Sequence, residues 1–358
     1  MTDPTSSRPF RRWPIFVAPA LFVALALGWS AYWFYAASKV DAAIDGWRAR
    51  EAQSGRIHGC NDRSVAGFPF RFEVRCSGAS VTLMAQTAEQ AQSMVPEVLR
   101  FAEIVVVAQI YTPNLLIAEF TAPATLAEAN RPPLAIANWR DARASVAGPP
   151  EAPQQVSLII DDATLEATDG AARAPLGQAK RFALHGRIAP GAAPGQPAIE
   201  TVLQTEAMTV PGVHPALAAP FNSEVRARLS GLRDFTPKPW PQRFRELQAA
   251  GGRIEITQAR LTQGKMVATA RGALGIAANG HLDGELELTV AGLEGVAAVL
   301  GLDKLLGPVG SLVPGGLMAM LGKPATLDGR SAVAVPLVFA DGAVRLGPLT
   351  VARTDPLF

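Results

Sequence analysis

The chain has 358 residues, enough for one large domain or two ordinary ones. Its formal net charge of +2 leaves no electrostatic footprint for nucleic acid, and charged residues make up only 18% of it, against a usual share of about 25%. With 32 glycines and 29 prolines, the composition favours many short strands and turns over long helices.

Pro14 to Ala36 (PIFVAPALFVALALGWSAYWFYA) is 23 residues without a charge, and as a helix it would rise about 34 Å, enough to cross a hydrocarbon core. A buried core helix is the plainer alternative, but such helices rarely run this long without a polar face, which the stretch lacks. A cleaved signal peptide shares the basic start, but its apolar core runs roughly 7–15 residues and ends on a small-x-small site that WFYAAS does not offer. Arg11-Arg12 is followed by Trp13-Pro14, which departs from a twin-arginine signal. The reading is a transmembrane helix at residues 14–36 after a cytoplasmic N-terminus at 1–13. Its orientation follows from Arg8, Arg11 and Arg12 before the span, against Lys39, Asp41 and Asp45 after it. Trp13 marks one boundary and Trp29, Tyr32, Trp33 and Tyr35 the other, as an interfacial aromatic belt requires.

Everything beyond about Ser38 is then exported. The Arg-, Ala- and Pro-rich style with few tyrosines points to a bacterium of high genomic G+C, hence to an inner-membrane anchor and a periplasmic body. Val40 to Gln53 is charged and helix-compatible, so residues 37–54 read as a stalk helix that Gly55 ends. Residues 55–358 read as a periplasmic antiparallel β domain, with a possible subdomain break near 189–197 (APGAAPGQP).

The two cysteines, Cys60 and Cys76, bracket an alternating segment with Phe68, Phe70, Phe72 and Val74 on one parity and Arg71, Glu73 and Arg75 on the other. A period of two marks a strand with one buried and one wet face. In an oxidising compartment the two cysteines most simply form one disulfide, worth on the order of 3 kcal/mol for a loop of about 15 residues. Two unpaired buried thiols are the alternative. There is no C-x-x-C for a redox centre, and His58 alone does not complete a zinc site.

Farther on, Gln86 to Phe101 reads as helical, with Met94, Val98 and Phe101 apolar. Ile104 to Tyr111 and Leu115 to Phe120 are apolar runs joined by a turn at Thr112-Pro113-Asn114. Trp139 to Val146, Val156 to Leu165, Phe182 to Ile188 and Glu224 to Leu229 read as strands, and Pro241 to Ala250 as a short helix stopped by Gly251-Gly252. In the last third, strands at Ile254, at Met266 to Ile276, at Leu282 to Val290 and at Val333 to Leu346 are punctuated by Asn279-Gly280 and Asp341-Gly342, both hairpin signals. The fold class is mainly β: an N-terminal transmembrane helix, then a large curved antiparallel sheet with a few short helices.

Leu293 to Leu321 is apolar and repeatedly cut by Gly and Pro. It reads either as packed short helices over the sheet or as an apolar lid along Leu293, Val299, Leu305, Leu312, Leu317 and Leu321.

FPFRFEVRCSGASV (Phe68 to Val81), AQIYTPNLLIAEF (Ala108 to Phe120), LDGELELTVAG (Leu282 to Gly292) and FADGAVRLGPL (Phe339 to Leu349) together resemble a proteobacterial membrane-anchored periplasmic family of unknown function. That family in turn distantly resembles AsmA-like envelope proteins. The resemblance implies a periplasmic β-rich body, with a curved sheet enclosing an apolar channel for acyl chains; it supplies no activity.

No nucleophile elbow, Walker loop, dinucleotide fingerprint or H-E-x-x-H occurs, and the four histidines stand singly. Asp161-Asp162 reads as an exposed strand end rather than a carboxylate pair. Arg71 and Arg75 are candidates for a lipid headgroup, with a wet sheet face partnered by Glu73 as the plainer alternative. No cofactor, metal or catalytic residue is assigned. The expected partners are membrane lipid or envelope proteins, the expected role is non-enzymatic lipid binding or transfer, and the alternative is an envelope assembly factor.

Overall fold

The computed structural model describes residues 14–84, 96–149, 153–169, 172–190, 197–212, 215–234, 240–292, 322–347 and 349–358. The apolar start and the charged run after it form one helix, α1 (Pro14–Gln53). It ends where Gly55 takes φ 73°, a left-handed conformation that suits glycine at a helix C-terminus. The span and the stalk are thus one rod, because nothing between Ala36 and Lys39 breaks the helix.

The strands follow in chain order. β1 (Arg56–Gly59) and β2 (Asp62–Ala66) lead into β3 (Arg71–Leu83), β4 (Glu97–Gln109) and β5 (Thr112–Glu128). Next come β6 (Pro133–Asn138), β7 (Asp141–Ala147), β8 (Gln155–Asp169), β9 (Ala172–Ile188), β10 (Ile199–Met208) and β11 (Phe221–Leu229). A second helix, α2 (Trp240–Ala249), precedes β12 (Ile254–Gln263), β13 (Met266–Ile276) and β14 (Leu282–Ala291). The chain closes with β15 (Lys323–Leu327), β16 (Arg330–Ala340), β17 (Ala343–Leu346) and β18 (Leu349–Arg353).

All eighteen strands belong to one sheet. It is a meander in which each long strand pairs antiparallel with the next, from β3 through β14. Short strands share an edge: β1 and β2 both pair with β3, β6 and β7 both lie between β5 and β8, and β15 and β17 both pair with β16. β14 pairs with β16, and β9 pairs with β10 across residues 189–197.

Three sequence expectations change. Val98 and Phe101 lie in β4, paired with Ala127 and Ala124, so the end of the Gln86–Phe101 helix is strand; residues 85–95 are outside the described residues. Val98 and Phe101, three residues apart with no register shift between them, point to opposite faces of β4, so their helix-like spacing reflects two apolar faces and not one. The turn after Gln109 is Ile110-Tyr111, and Thr112-Pro113-Asn114 opens β5 instead. At Asn279-Gly280 the hairpin is present, but its turn runs from Ala277 to Gly280, with Gly280 at φ 81°. Asp341-Gly342 is the two-residue turn expected, both residues having positive φ, and Asp328-Gly329 is a second one that the sequence reading passed over.

Cys60 and Cys76 are disulfide-bonded, tying the β1–β2 edge to β3. Replacing both by serine should lower stability by about 3 kcal/mol, the loop-closure value for a link of this span. Urea unfolding under non-reducing conditions measures it, and an unchanged midpoint would contradict it.

Candidate functional site: the inner apolar face and the helix junction

The register carries one apolar row across the sheet. Val74, Val106, Ala118, Ala144, Leu158 and Leu184 are successive cross-strand partners from β3 to β9. The row continues through Leu203, Val225, Ala259, Ala270, Leu288 and Val335 on β10 to β14 and β16. No polar residue interrupts it. The opposite face carries cross-strand ion pairs, among them Arg75–Glu103 (2.7 Å), Arg181–Asp161 (3.1 Å), Arg187–Glu200 (2.7 Å) and Arg271–Glu287 (2.6 Å). Such exposed pairs stabilise little, but they keep that face in water and so fix which side turns inward.

The sheet is rolled with the apolar face inside. At a strand spacing of about 4.8 Å, a flat sheet would hold β1 and β11 on the order of 40 Å apart. Yet Arg56 of β1 lines a single cleft of ≈ 430 Å³ with Leu229 of β11, Ile254 of β12 and Leu274 of β13. Ile199, Leu229, Ile254 and Leu274 are register partners on the apolar face, and Trp240, Phe244 and Leu247 of α2 complete the cleft wall. α2 is held there by a tight C-terminal turn, in which Gly252 N donates to Leu247 O (2.7 Å). Two guanidinium groups flank the cleft: Arg56 pairs with Glu51 (2.6 Å), and Arg243 pairs with Asp234 (3.2 Å) and Glu246 (3.2 Å).

The face is filled unevenly. At the C-terminal end Met266, Val290, Val333, Val335 and Leu346 form a buried cluster, with Val335 and Leu346 each only 1% exposed. In the middle of the row, Leu158, Leu184, Leu203 and Val225 stay half-buried, and Val156 and Leu165 on the same face of β8 are 43% and 41% exposed. Among the described residues no second sheet covers that middle. The lid positions Leu293, Val299, Leu305, Leu312, Leu317 and Leu321 lie outside the described residues.

At the other end α1 docks along the β1–β3 edge. The Trp33 indole is 4% exposed, stacks on Phe72 (5.6 Å) and donates from Nε1 to Arg71 O (3.1 Å). Farther up, Arg63 bridges Asp41 (3.1 Å) and Asp45 (2.9 Å), and Arg48 donates to His58 O (2.9 Å). The stalk is therefore clamped to the sheet rather than standing free of it.

His58 sits in that clamp, its ring 4.4 Å from Trp47 and its Nε2 3.6 Å from Glu51. Burial lowers its pKa below the ordinary 6.5, an effect that the Glu51 carboxylate opposes. Glu51 is also held below its ordinary value, chiefly by the hydrogen bond from Arg56. The folded state thus binds the His58 proton less tightly than the unfolded chain does. The clamp is at full strength above about pH 6.5 and weakens as the pH falls below it, with Glu51 adding a loss at lower pH. Thermal unfolding followed between pH 8 and pH 5 should show this decline, and His58→Phe should remove most of it; an identical pH profile for the variant would contradict the assignment.

Of the two arginines proposed for a headgroup, Arg71 is at the level of Trp33 and pairs with Glu73 (2.9 Å). Arg75, four residues along the strand, is held by Glu73 (3.0 Å) and Glu103 (2.7 Å). The roles of the inner row and of Trp33 were missed from sequence, although the even-parity run Phe72, Val74 and Cys76 was a partial signal. Among the described residues, no three His, Cys, Asp or Glu side chains gather as a metal site.

A family model described as uncharacterized protein conserved in bacteria, DUF2125, matches residues 33–355. The chain belongs to that family. The DUF2125 match opens at Trp33, the residue that docks α1 on the sheet, so it takes in the clamped part of the helix together with the whole sheet. The helix from Phe16 to Gln53, whose N-terminal part precedes the match, holds an apolar window long enough to cross a membrane and only 6% buried, compatible with a single-pass anchor. A search of the curated proteins finds no match.

Proposed function

We propose that this DUF2125 protein is a non-enzymatic, inner-membrane-anchored periplasmic protein that binds lipid acyl chains on the inner face of its sheet and passes them along it. The observation that carries the reading is the unbroken apolar row from Val74 to Val335, half-buried through Leu158, Leu184, Leu203 and Val225. A sheet must bury its apolar face against another layer or around a ligand. Orientation rests on the arginines before the span, which leave the sheet on the periplasmic side. The likeness to AsmA-like envelope proteins belongs to the same proposal, as does a headgroup role for Arg71, which lies at the depth of the aromatic belt.

A photo-reactive benzophenone side chain in place of Leu184, activated in living cells, tests the reading. Phospholipid adducts from position 184, and none from Glu224 on the outer face, are expected. Adducts to protein alone would overturn lipid binding and favour an envelope assembly factor that packs this face against a partner.

A further inference from the structure

Two turns of the sheet lie beside the apolar stretch of α1. The first, Phe68-Pro69-Phe70 between β2 and β3, is fastened to the helix: Trp29 Nε1 donates to Pro69 O (2.9 Å), and Phe68 stacks on Phe34 (5.8 Å). The second, Ile110-Tyr111 between β4 and β5, is fastened to the first by Ile110 N donating to Phe70 O (3.1 Å). Ile110 lines a cleft of ≈ 590 Å³ with Leu21, Leu25, Trp29 and Tyr32, which extends along about 16 Å of the helix. The tips themselves are bare: Phe70 is 64% exposed and Tyr111 72%. Around them there is no charge, either from Ser64 to Phe70 or from Ile104 to Ala118. The helix flank at that depth is equally bare, with Leu21 60% and Leu25 64% exposed.

A patch of this kind in water would be an aggregation liability; continuous with a membrane-crossing helix, it is a lipid contact. Aromatic side chains at such a rim suit the headgroup boundary, where one end is apolar and the other wet. We propose that the Phe68–Phe70 and Ile110–Tyr111 turns insert into the periplasmic leaflet as a second membrane contact, so that the rim of the rolled sheet, and not the helix alone, is seated in the bilayer. The inference rests on α1 spanning the membrane, and it holds whether or not the sheet carries lipid. It fixes the tilt of the sheet against the membrane and brings the Leu116 end of the inner face to the hydrocarbon boundary. Leu116 itself, 37% exposed, is a register partner of Val146.

The test uses the full-length protein in phospholipid nanodiscs with its disulfide intact. A nitroxide is placed at Tyr111→Cys, at Phe22→Cys in the span, or at Asn130→Cys in the turn at the far end of β5, and collision with oxygen and with a water-soluble nickel chelate is measured. The Tyr111 label should resemble the Phe22 label, with nickel access at least fivefold below that at Asn130. Nickel access at Tyr111 equal to that at Asn130, with Phe22 still shielded, would overturn insertion alone. Access at all three positions would overturn it together with the anchor. A failure of lipid crosslinking from position 184 would leave this outcome untouched.

Discussion

Trp33→Ala should destabilise the protein by about 3–5 kcal/mol, the range for truncating a large buried aromatic side chain. The indole is almost fully enclosed, meets Phe72 face to face and both Phe34 (5.2 Å) and Phe68 (5.5 Å) edge-on, and satisfies Arg71 O. Alanine would remove the three ring contacts and leave that carbonyl without its partner. Trp33→Phe keeps most of the packing and should cost about 1 kcal/mol, near the worth of the hydrogen bond. Denaturant unfolding in mild detergent measures both, and protease cleavage near Ser54-Gly55 should accelerate in the alanine variant as the helix undocks. Equal losses for the two variants would mean that the indole hydrogen bond, and not the ring stack, holds the helix.

Leu184→Glu should abolish lipid retention, lowering it at least tenfold. The side chain lies mid-row between Leu158 and Leu203. A carboxylate there would have to lose its water against an acyl chain, a penalty of several kcal/mol, and each 1.4 kcal/mol is about tenfold in affinity. Because the site is half-buried, the apo protein should still fold with its glutamate in water. Leu346→Ala offers the contrast: in the filled cluster it should cost about 2–5 kcal/mol of stability without a specific effect on lipid. Lipid retention by Leu184→Glu at the wild-type level would show that the middle of the face does not hold the ligand.

Features set by local chemistry were legible in the sequence. The long apolar helix follows from an uncharged run, the stapled strand from strict alternation between two cysteines, and the Asp341-Gly342 turn from the positive φ both residues tolerate. What depends on register was not legible. In β3 the apolar set changes parity at Gly78 (φ 61°), from Phe72, Val74 and Cys76 to Ala79 and Val81, and β4 changes in step near Ala102. Val98 pairs with Thr82 on the other face, so its helix-like spacing from Phe101 misleads until the ladder is known. The inner row is invisible for the same reason: each strand shows its own alternation, but only the ladder aligns Leu158 with Leu184 and Leu203. The helix clamp was hidden because Arg63, Asp41 and Asp45 read as ordinary surface charges until β2 folds back beside α1.

Lipid held on the inner face of the rolled sheet is best measured by native mass spectrometry of the full-length protein, released from a detergent that strips annular lipid and followed by solvent extraction. At least one phospholipid per chain, absent from Leu184→Glu, is the expected result. A clean protein mass for the wild type, with no extractable phospholipid, would contradict it.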